Sequence, residues 1–448
     1  MARSSDTRPA LPTPRSLAAV LRRLRLPRTR ERLRLPPLVA QRLPRLAILA
    51  ALGPGIVSGF ADNDAGGITT YSVVGAQYGY ALLWAILASL VALFFTQEVG
   101  ARLGLATGRG LLDLIREHFG PRWGTFAIAT MLLANLGDTV AEFAGIGAAL
   151  SLFGVPVATA DAVAAVVIVL LLSRGSFRRV QFAFLGIGAG VSVAYAVSAV
   201  LAHPEWTRGA EYLVVPHATL STAYLLAVVG TVGTTITPWG QAFIQSYTAD
   251  KRLRPEDLRG SRLDVAAGAI LTNLVAGFIV IAAAATLWKH GLRTIPDARA
   301  AAQALGPLAG HLAETVFALG LLAASFLGLG TVPLTSAYAT TEALGLERGL
   351  DFRVRQAPAF YGLLAFFVGV AAVFVLIPGL PLIQVMFLSQ VFDGALLPVI
   401  LVFVMLLAQR RELLGPLASG RVLLSIGWLI AALVSILSVA LVATLILP

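Results

Sequence analysis

The sequence predicts an all-α polytopic membrane protein of eleven transmembrane helices, the first and sixth of them broken. Three observations carry that expectation. Of 448 residues, 57% are hydrophobic and only 13% charged, with a mean hydropathy of +0.83, whereas soluble domains carry about 25% charged residues. Apolar windows of about 20 residues, enough to cross a bilayer core, follow one another almost to the C-terminus. Two of those windows are interrupted by polar runs bearing glycine or proline, at corresponding places in two halves of the chain. The chain has no cysteine, which excludes disulfides, thiolate metal sites and thiol catalysis.

Residues 1–45 precede the first span and hold 12 Arg against Asp6 and Glu31, most of the chain's net charge of +11. This Arg- and Pro-rich stretch has no long apolar run, so it is read as a disordered cytosolic tail that enforces orientation. A basic amphipathic surface helix over Leu17–Leu26 is the alternative. Nothing in the tail supplies a nucleic-acid-reading module. The transmembrane domain is residues 46–448, with spans near 46–76, 80–101, 123–152, 157–173, 180–202, 221–247, 264–288, 312–344, 358–378, 381–408 and 423–447. The first, sixth and eighth are long for one straight crossing, so breaks or tilt are expected there. Glycines 186, 188 and 190 in the fifth suggest close helix approach.

With the tail inside, the inner segments hold 30 of the 34 Lys and Arg residues, leaving Arg208, Lys289, Arg293 and Arg299 outside. The asymmetry predicts a cytoplasmic N-terminus and an external C-terminus. With only Lys251 and Lys289 beside 32 Arg, the composition suggests a GC-rich bacterial genome and hence an inner-membrane protein. His118, His203, His217, His290 and His311 all fall in loops or at span ends. A mid-membrane histidine relay or zinc-type cluster is therefore not indicated.

The first interruption is Asp62-Asn63-Asp64-Ala65-Gly66-Gly67. A carboxylate at bilayer depth costs roughly 2.5–3.5 kcal/mol on insertion scales unless compensated. Paired glycines weaken a helix and release backbone groups. Carboxylates and freed carbonyls at one depth suit a hard cation shedding its water. The second interruption, Gly233 to Gln241, contains three threonines and Pro238, which deprives the Thr234 carbonyl of its helical partner. Because the first and sixth spans are corresponding members of two five-span halves of opposite topology, an ion site is expected between them. No residue-level similarity between the halves is visible.

These residues resemble the Nramp family of divalent-metal transporters over most of the chain after the tail. The resemblance rests on Gly53-Pro54-Gly55, Gly59-Phe60, Asp64 and Gly75 to Tyr80 in the first span, and on Ala101 to Gly108 after the second. Ala141-Glu142-Phe143 in the third and Ser389-Gln390-Val391 in the tenth complete it. It implies a LeuT-like 5+5 inverted repeat plus one extra helix. The departures are specific. The family's Asp-Pro-Gly-Asn reads Asp64-Ala65-Gly66-Gly67, and its Met-Pro-His reads Thr237-Pro238-Trp239. Its third-span Asp is replaced by Thr139, with Asp138 one residue earlier. This pattern looks most like the Nramp-related magnesium transporters.

Loss of a thioether agrees with that branch, since soft ligands suit transition metals while Mg²⁺ and Mn²⁺ favour oxygen. Mg²⁺ also keeps several waters and binds through one or two carboxylates. The expected metal set is Asp64, Asp62, the Thr234 carbonyl, the Thr237 hydroxyl and Gln390, with Asp62 otherwise capping the broken helix or binding water. Asn63 is expected to cap the second half-helix. Asp138, Glu142 and Asp393 are placed along the pathway or in structural bonds. Trp239, also on the pathway, fills the space of the missing histidine. Glu98 is expected to pair with Arg102, and Glu342 to lie at the inner mouth. The functional expectation is a secondary, alternating-access carrier of a divalent cation, Mg²⁺ with Mn²⁺ competing, uncoupled from protons, working as a monomer in the lipid bilayer without a cofactor. A proton-coupled Mn²⁺ or Fe²⁺ carrier is the alternative. An organic-solute carrier is disfavoured because two aspartates repel a carboxylate. An intramembrane enzyme is disfavoured because no paired Tyr-Asp and Gly-x-Gly-Asp signature is present.

Overall fold

The computed structural model describes residue 59 and residues 62–173, 177–219, 221–250, 253, 255–347 and 354–446. The tail lies outside these. All regular structure among the described residues is helical. The principal helices are α1 (Ala65–Tyr78), α2 (Leu83–Thr107), α3 (Leu111–Phe119), α4 (Pro121–Ser151), α5 (Val157–Ser173), α6 (Phe177–Leu201) and α7 (Trp206–Val214). They continue as α8 (Thr222–Thr235), α9 (Pro238–Asp250), α10 (Leu258–Ala283), α11 (Ala313–Leu344), α12 (Pro358–Val375), α13 (Leu382–Ala408) and α14 (Arg421–Ile446). Eight helical segments among the described residues are long and apolar enough to cross a bilayer, and the apolar α5 is shorter. Short helices occupy the described part of the first expected span and both parts of the sixth, so the count of eleven stays an expectation.

The second expected interruption is present, and of the first the described residues show the turn and the helix after it, with mechanics that differ from the sequence reading. In the first, Asp62 to Asp64 form a turn and α1 begins at Ala65, so Gly66 and Gly67 sit inside the first helical turn and do not make the break. Asp64, in extended conformation, caps α1 by accepting from Gly67 N–H through Oδ1 at 2.8 Å. Asn63 does not cap: its amide nitrogen lies 3.5 Å from the Gly59 and Thr272 carbonyls. In the second, α8 ends at Thr235 and α9 starts at Pro238. Proline is favoured at a first helical position because the N–H it lacks has no intrahelical partner there anyway. Thr237 closes the new end, its Oγ1 accepting from Gly240 N–H at 3.0 Å.

The eighth expected span is not broken. α11 is a continuous 32-residue helix with Pro333 inside it, about 48 Å long at 1.5 Å per residue, so it projects beyond a 30 Å hydrocarbon core or tilts within it. α10 widens at its end, Lys289 N–H reaching the Ala284 carbonyl five residues back at 3.1 Å. The glycines at 186, 188 and 190 are not close-approach positions, for a methyl there would meet nothing within 4 Å. Close approach is made instead by glycines around the broken spans. A methyl on Gly233 of α8 would overlap the Gln390 carbonyl of α13, and one on Gly394 would overlap Val229. One on Gly75 would lie 2.6 Å from the Val280 carbonyl of α10. α1 packs on α10, α13, α8 and α4, which places both interruptions against the middle of α4 and α13.

At one end of the bundle an ion network ties helices together. Glu98 Oε1 lies 2.7 Å from both Arg102 Nε and Arg262 Nε, and Arg102 also donates to the Leu417 carbonyl at 2.8 Å. The expected Glu98–Arg102 pair is thus present and joined by α10. Glu342 accepts from Gly110 N–H at 3.0 Å.

Candidate functional site

Oxygens from both broken spans converge beside Gly67. A methyl there would lie 2.9 Å from the Asp62 carbonyl oxygen, 3.1 Å from Thr234 Oγ1 and 3.5 Å from Asp64 Oδ1. Asp62 also reaches the start of α9, because a methyl on Gly240 would lie 2.7 Å from Thr237 Oγ1 and 3.7 Å from Asp62 Oδ1. Asp62, Asp64, Thr234 and Thr237 are each at most 2% exposed. Two of their oxygens, Asp64 Oδ2 and Thr234 Oγ1, are buried without a hydrogen-bond partner. Glycine at 66 and 67 is required by this crowding rather than by backbone flexibility.

Gln390 of α13 closes another side. It lies over Gly66, where a methyl would overlap its amide, and its Nε2 donates to Asp138 Oδ1 at 2.9 Å and to Ser389 Oγ at 3.2 Å. Its Oε1 is buried without a partner. The third expected span contributes a carboxylate on each of two successive turns of α4. Glu142 lies beside the Asp64 carboxyl and the Ala65 amide, while Asp138 lies beside the Asp393 carboxyl of α13. None of Asp64, Asp138, Glu142 and Asp393 has a Lys, Arg or His ion-pair partner among the described residues. Burying four unpaired carboxylates would be prohibitive unless protons or a cation neutralised them. The arrangement is an electronegative chamber.

Among the described residues no three acidic, histidine or cysteine side chains meet at one point. The chamber is instead built of carboxylate pairs completed by hydroxyl, amide and carbonyl oxygens. Trp239 is fully buried at the start of α9 against Val332 and Phe243. One thioether approaches, Met386, whose sulfur accepts from Thr69 Oγ1 at 3.4 Å. A small cavity of about 20 Å³ adjoins Asn63 and is lined by Ser192 and Tyr195 of α6 and Val275 of α10.

Some contributors were not foreseen. Tyr71 Oη and Thr235 Oγ1 are 2.9 Å apart and tie α1 to α8 just beyond the chamber. Asn135 of α4 donates to Ser336 of α11 at 2.7 Å. Tyr71 stands seven residues after Asp64, two helical turns along the same face, which was the available signal. Asn135, three residues before Asp138, offered the same one.

A broken-helix pair facing an oxygen-lined, acidic chamber narrows the possible relatives, and the chain matches the Natural resistance-associated macrophage protein-like (Nramp) family over residues 55–444. It belongs to the Nramp family. One relative, the divalent metal cation transporter MntH of Deinococcus radiodurans, is 31% identical over 401 residues, covering 86% of this chain and 88% of the relative. That of Bacillus subtilis is 27% identical, covering 88% and 92%. Among solved structures, the Eremococcus coleocola manganese transporter superposes with a TM-score of 0.71 at 22% identity, covering 89% of this chain and 87% of that one. MhsT in complex with L-phenylalanine superposes with a TM-score of 0.59 at 15% identity, covering 88% and 98%. These likenesses show the LeuT-like fold. With the eight apolar helical segments, family membership makes the chain a multi-pass membrane protein.

Proposed function

We propose that this Nramp protein is a secondary transporter of divalent metal cations that binds its ion between the two broken spans and exposes it to either side in turn. The convergence of Asp62, Asp64 and Thr234 oxygens around Gly67 carries this reading. The names of its relatives support a divalent metal as the substrate class. The substrate we assign is Mg²⁺, with Mn²⁺ competing. At the position where the family's pattern has methionine, Thr237 offers a hydroxyl, and the donors around it are oxygens. Such a set suits a hard cation that keeps part of its water. Asp64 holds the ion, Asp62 and Thr234 complete the near shell, Thr237 both caps α9 and faces the ion, and Gln390 joins from α13. Glu142, Asp138 and Asp393 supply the negative field of the pathway, and Trp239 walls it.

Calorimetric titration of the purified chain with Mg²⁺, Mn²⁺ and Ca²⁺ tests this, with Asp64→Ala as the control. Unchanged affinity in that variant removes Asp64 as the ligand and the site with it. A proton-coupled Mn²⁺ carrier is the second reading, favoured by the manganese-transporter relative and by the Asp64–Glu142 carboxyl pair, which a proton can bridge. Metal-dependent acidification of dye-loaded proteoliposomes would select it over the uncoupled one. A carrier of amino-acid-like anions is disfavoured despite the shared fold, because Asp62 and Asp64 stand where the anion would lie.

A further inference from the structure

Asp138 stands one residue before the place of the family's third-span Asp, and Asp393 lies three residues beyond Gln390 on the same face of α13. The fold brings them together. Asp138 Oδ1 receives Gln390 Nε2, but Asp138 Oδ2, both oxygens of Asp393 and Gln390 Oε1 are buried without partners. All three side chains are 0% exposed. Ser438 of α14 donates to the Gly394 carbonyl at 3.0 Å, next to Asp393. On the α4 side, Thr139 Oγ1 is taken up by the Asn135 carbonyl at 2.6 Å and leaves the space to the carboxylates.

We propose that Asp138, Asp393 and Gln390 form a second divalent-cation site, one helical turn along α4 from the Asp64–Glu142 pair. Four residues of helix separate the two carboxylate pairs by about 6 Å along α4, and Gln390 lies between them as the donor they share. Two carboxylates and one amide oxygen, with water completing the sphere, are the donor set that a hard divalent ion accepts. Without a cation, Gln390 points its NH₂ at Asp138. With one, rotation of the amide presents Oε1 to the ion, and the same side chain, lying over Gly66, senses occupancy of the first site. The inference rests on the transport reading only for the identity of the cation.

The experiment is a count of bound Mn²⁺ per chain, from loss of the free-ion paramagnetic resonance signal, on the full protein in lipid nanodiscs. The expected result is two ions per chain in the native protein and one in Asp393→Asn, Asp138→Asn and Asp64→Ala alike. A single ion in the native protein, lost in Asp64→Ala and kept in Asp393→Asn, overturns the second site and leaves the transport reading standing. Two ions that persist in both Asp138→Asn and Asp393→Asn also overturn it. No bound ion in the native protein defeats both readings. A native count of one overturns the second site even if a variant fails to fold, and with Asp138→Asn and Asp393→Asn either variant that folds tests a native count of two.

Discussion

Asp64 has two tasks at once, and they can be separated. Its Oδ1 caps α1 through Gly67 N–H while Oδ2 is left for another partner. Asparagine caps helices nearly as well as aspartate, so Asp64→Asn is expected to keep the fold and lower metal affinity about tenfold or more, a loss of about 1.4 kcal/mol or above. Titration calorimetry beside a thermal melt reads both quantities. Thr237→Met restores a thioether where the family's pattern has one. It should raise uptake of Mn²⁺ and Cd²⁺ relative to Mg²⁺ in proteoliposomes, because sulfur favours softer ions. It should also cost about 1 kcal/mol of stability for the lost cap on Gly240. An unaltered selectivity order would detach Thr237 from the ion. At this scale the candidate residues Asp62, Asp64, Thr234, Thr237 and Gln390 were legible, since polar groups in apolar spans have few other uses. The division of labour was not. Which of Asn63 and Asp64 caps α1 depends on backbone angles that a six-residue string does not encode.

At the scale of elements, the interruptions were visible and their construction was not. Pro238 reads from sequence as a lesion within a helix, yet it stands at the start of one, where its ring is harmless. Gly66 and Gly67 read as helix weakeners, yet they lie in a helical turn and serve contact with Gln390 and Thr234. The same logic makes Gly233 sensitive. A methyl there meets the Gln390 backbone, which cannot swing aside as a side-chain tip would. Gly233→Ala is therefore expected to destabilise the protein by about 1–3 kcal/mol through overpacking and to displace Gln390 from Asp138. A melting temperature equal to that of the native protein would show that α8 and α13 have slack. By contrast Gly186→Ala on α6 should leave the melt unchanged, since its methyl meets nothing within 4 Å. α11 shows the limit of length as a signal: a 32-residue apolar run is equally compatible with a break or with one long helix, and packing chose the latter.

At the scale of the whole molecule, the proposed passage of an uncoupled divalent ion through the acidic chamber makes transport electrogenic. Two charges crossing 100 mV gain about 4.6 kcal/mol, enough to drive accumulation without another ion. A potassium-diffusion potential, negative inside, should accelerate Mg²⁺ entry into proteoliposomes, while a pH gradient of either sign should leave it unchanged. Dependence on the pH gradient with indifference to voltage would reverse the assignment. The network of Glu98 with Arg102 and Arg262 fastens α2 to α10, and α2 also packs on α9, so the proposed rocking of α9 would bear on that fastened end.

The sequence alone determined the class, the order of the helices and the two places where they break, because hydropathy over 20 residues and a charge inside such a window are local properties with large energies. It also carried the family through motifs spread along the chain. Only the tertiary structure decided what faces what. The approach of Asp138 to Asp393 joins positions about 250 residues apart, and the crowding of Gly67 by both broken spans depends on how four helices cross. Local preference is silent on such distances, because they are set by the summed packing of α1, α4, α8 and α13. The opening Asp62–Gly67 run therefore pointed to a candidate ion site, and the fold set beside it a second pair of carboxylates one turn along α4.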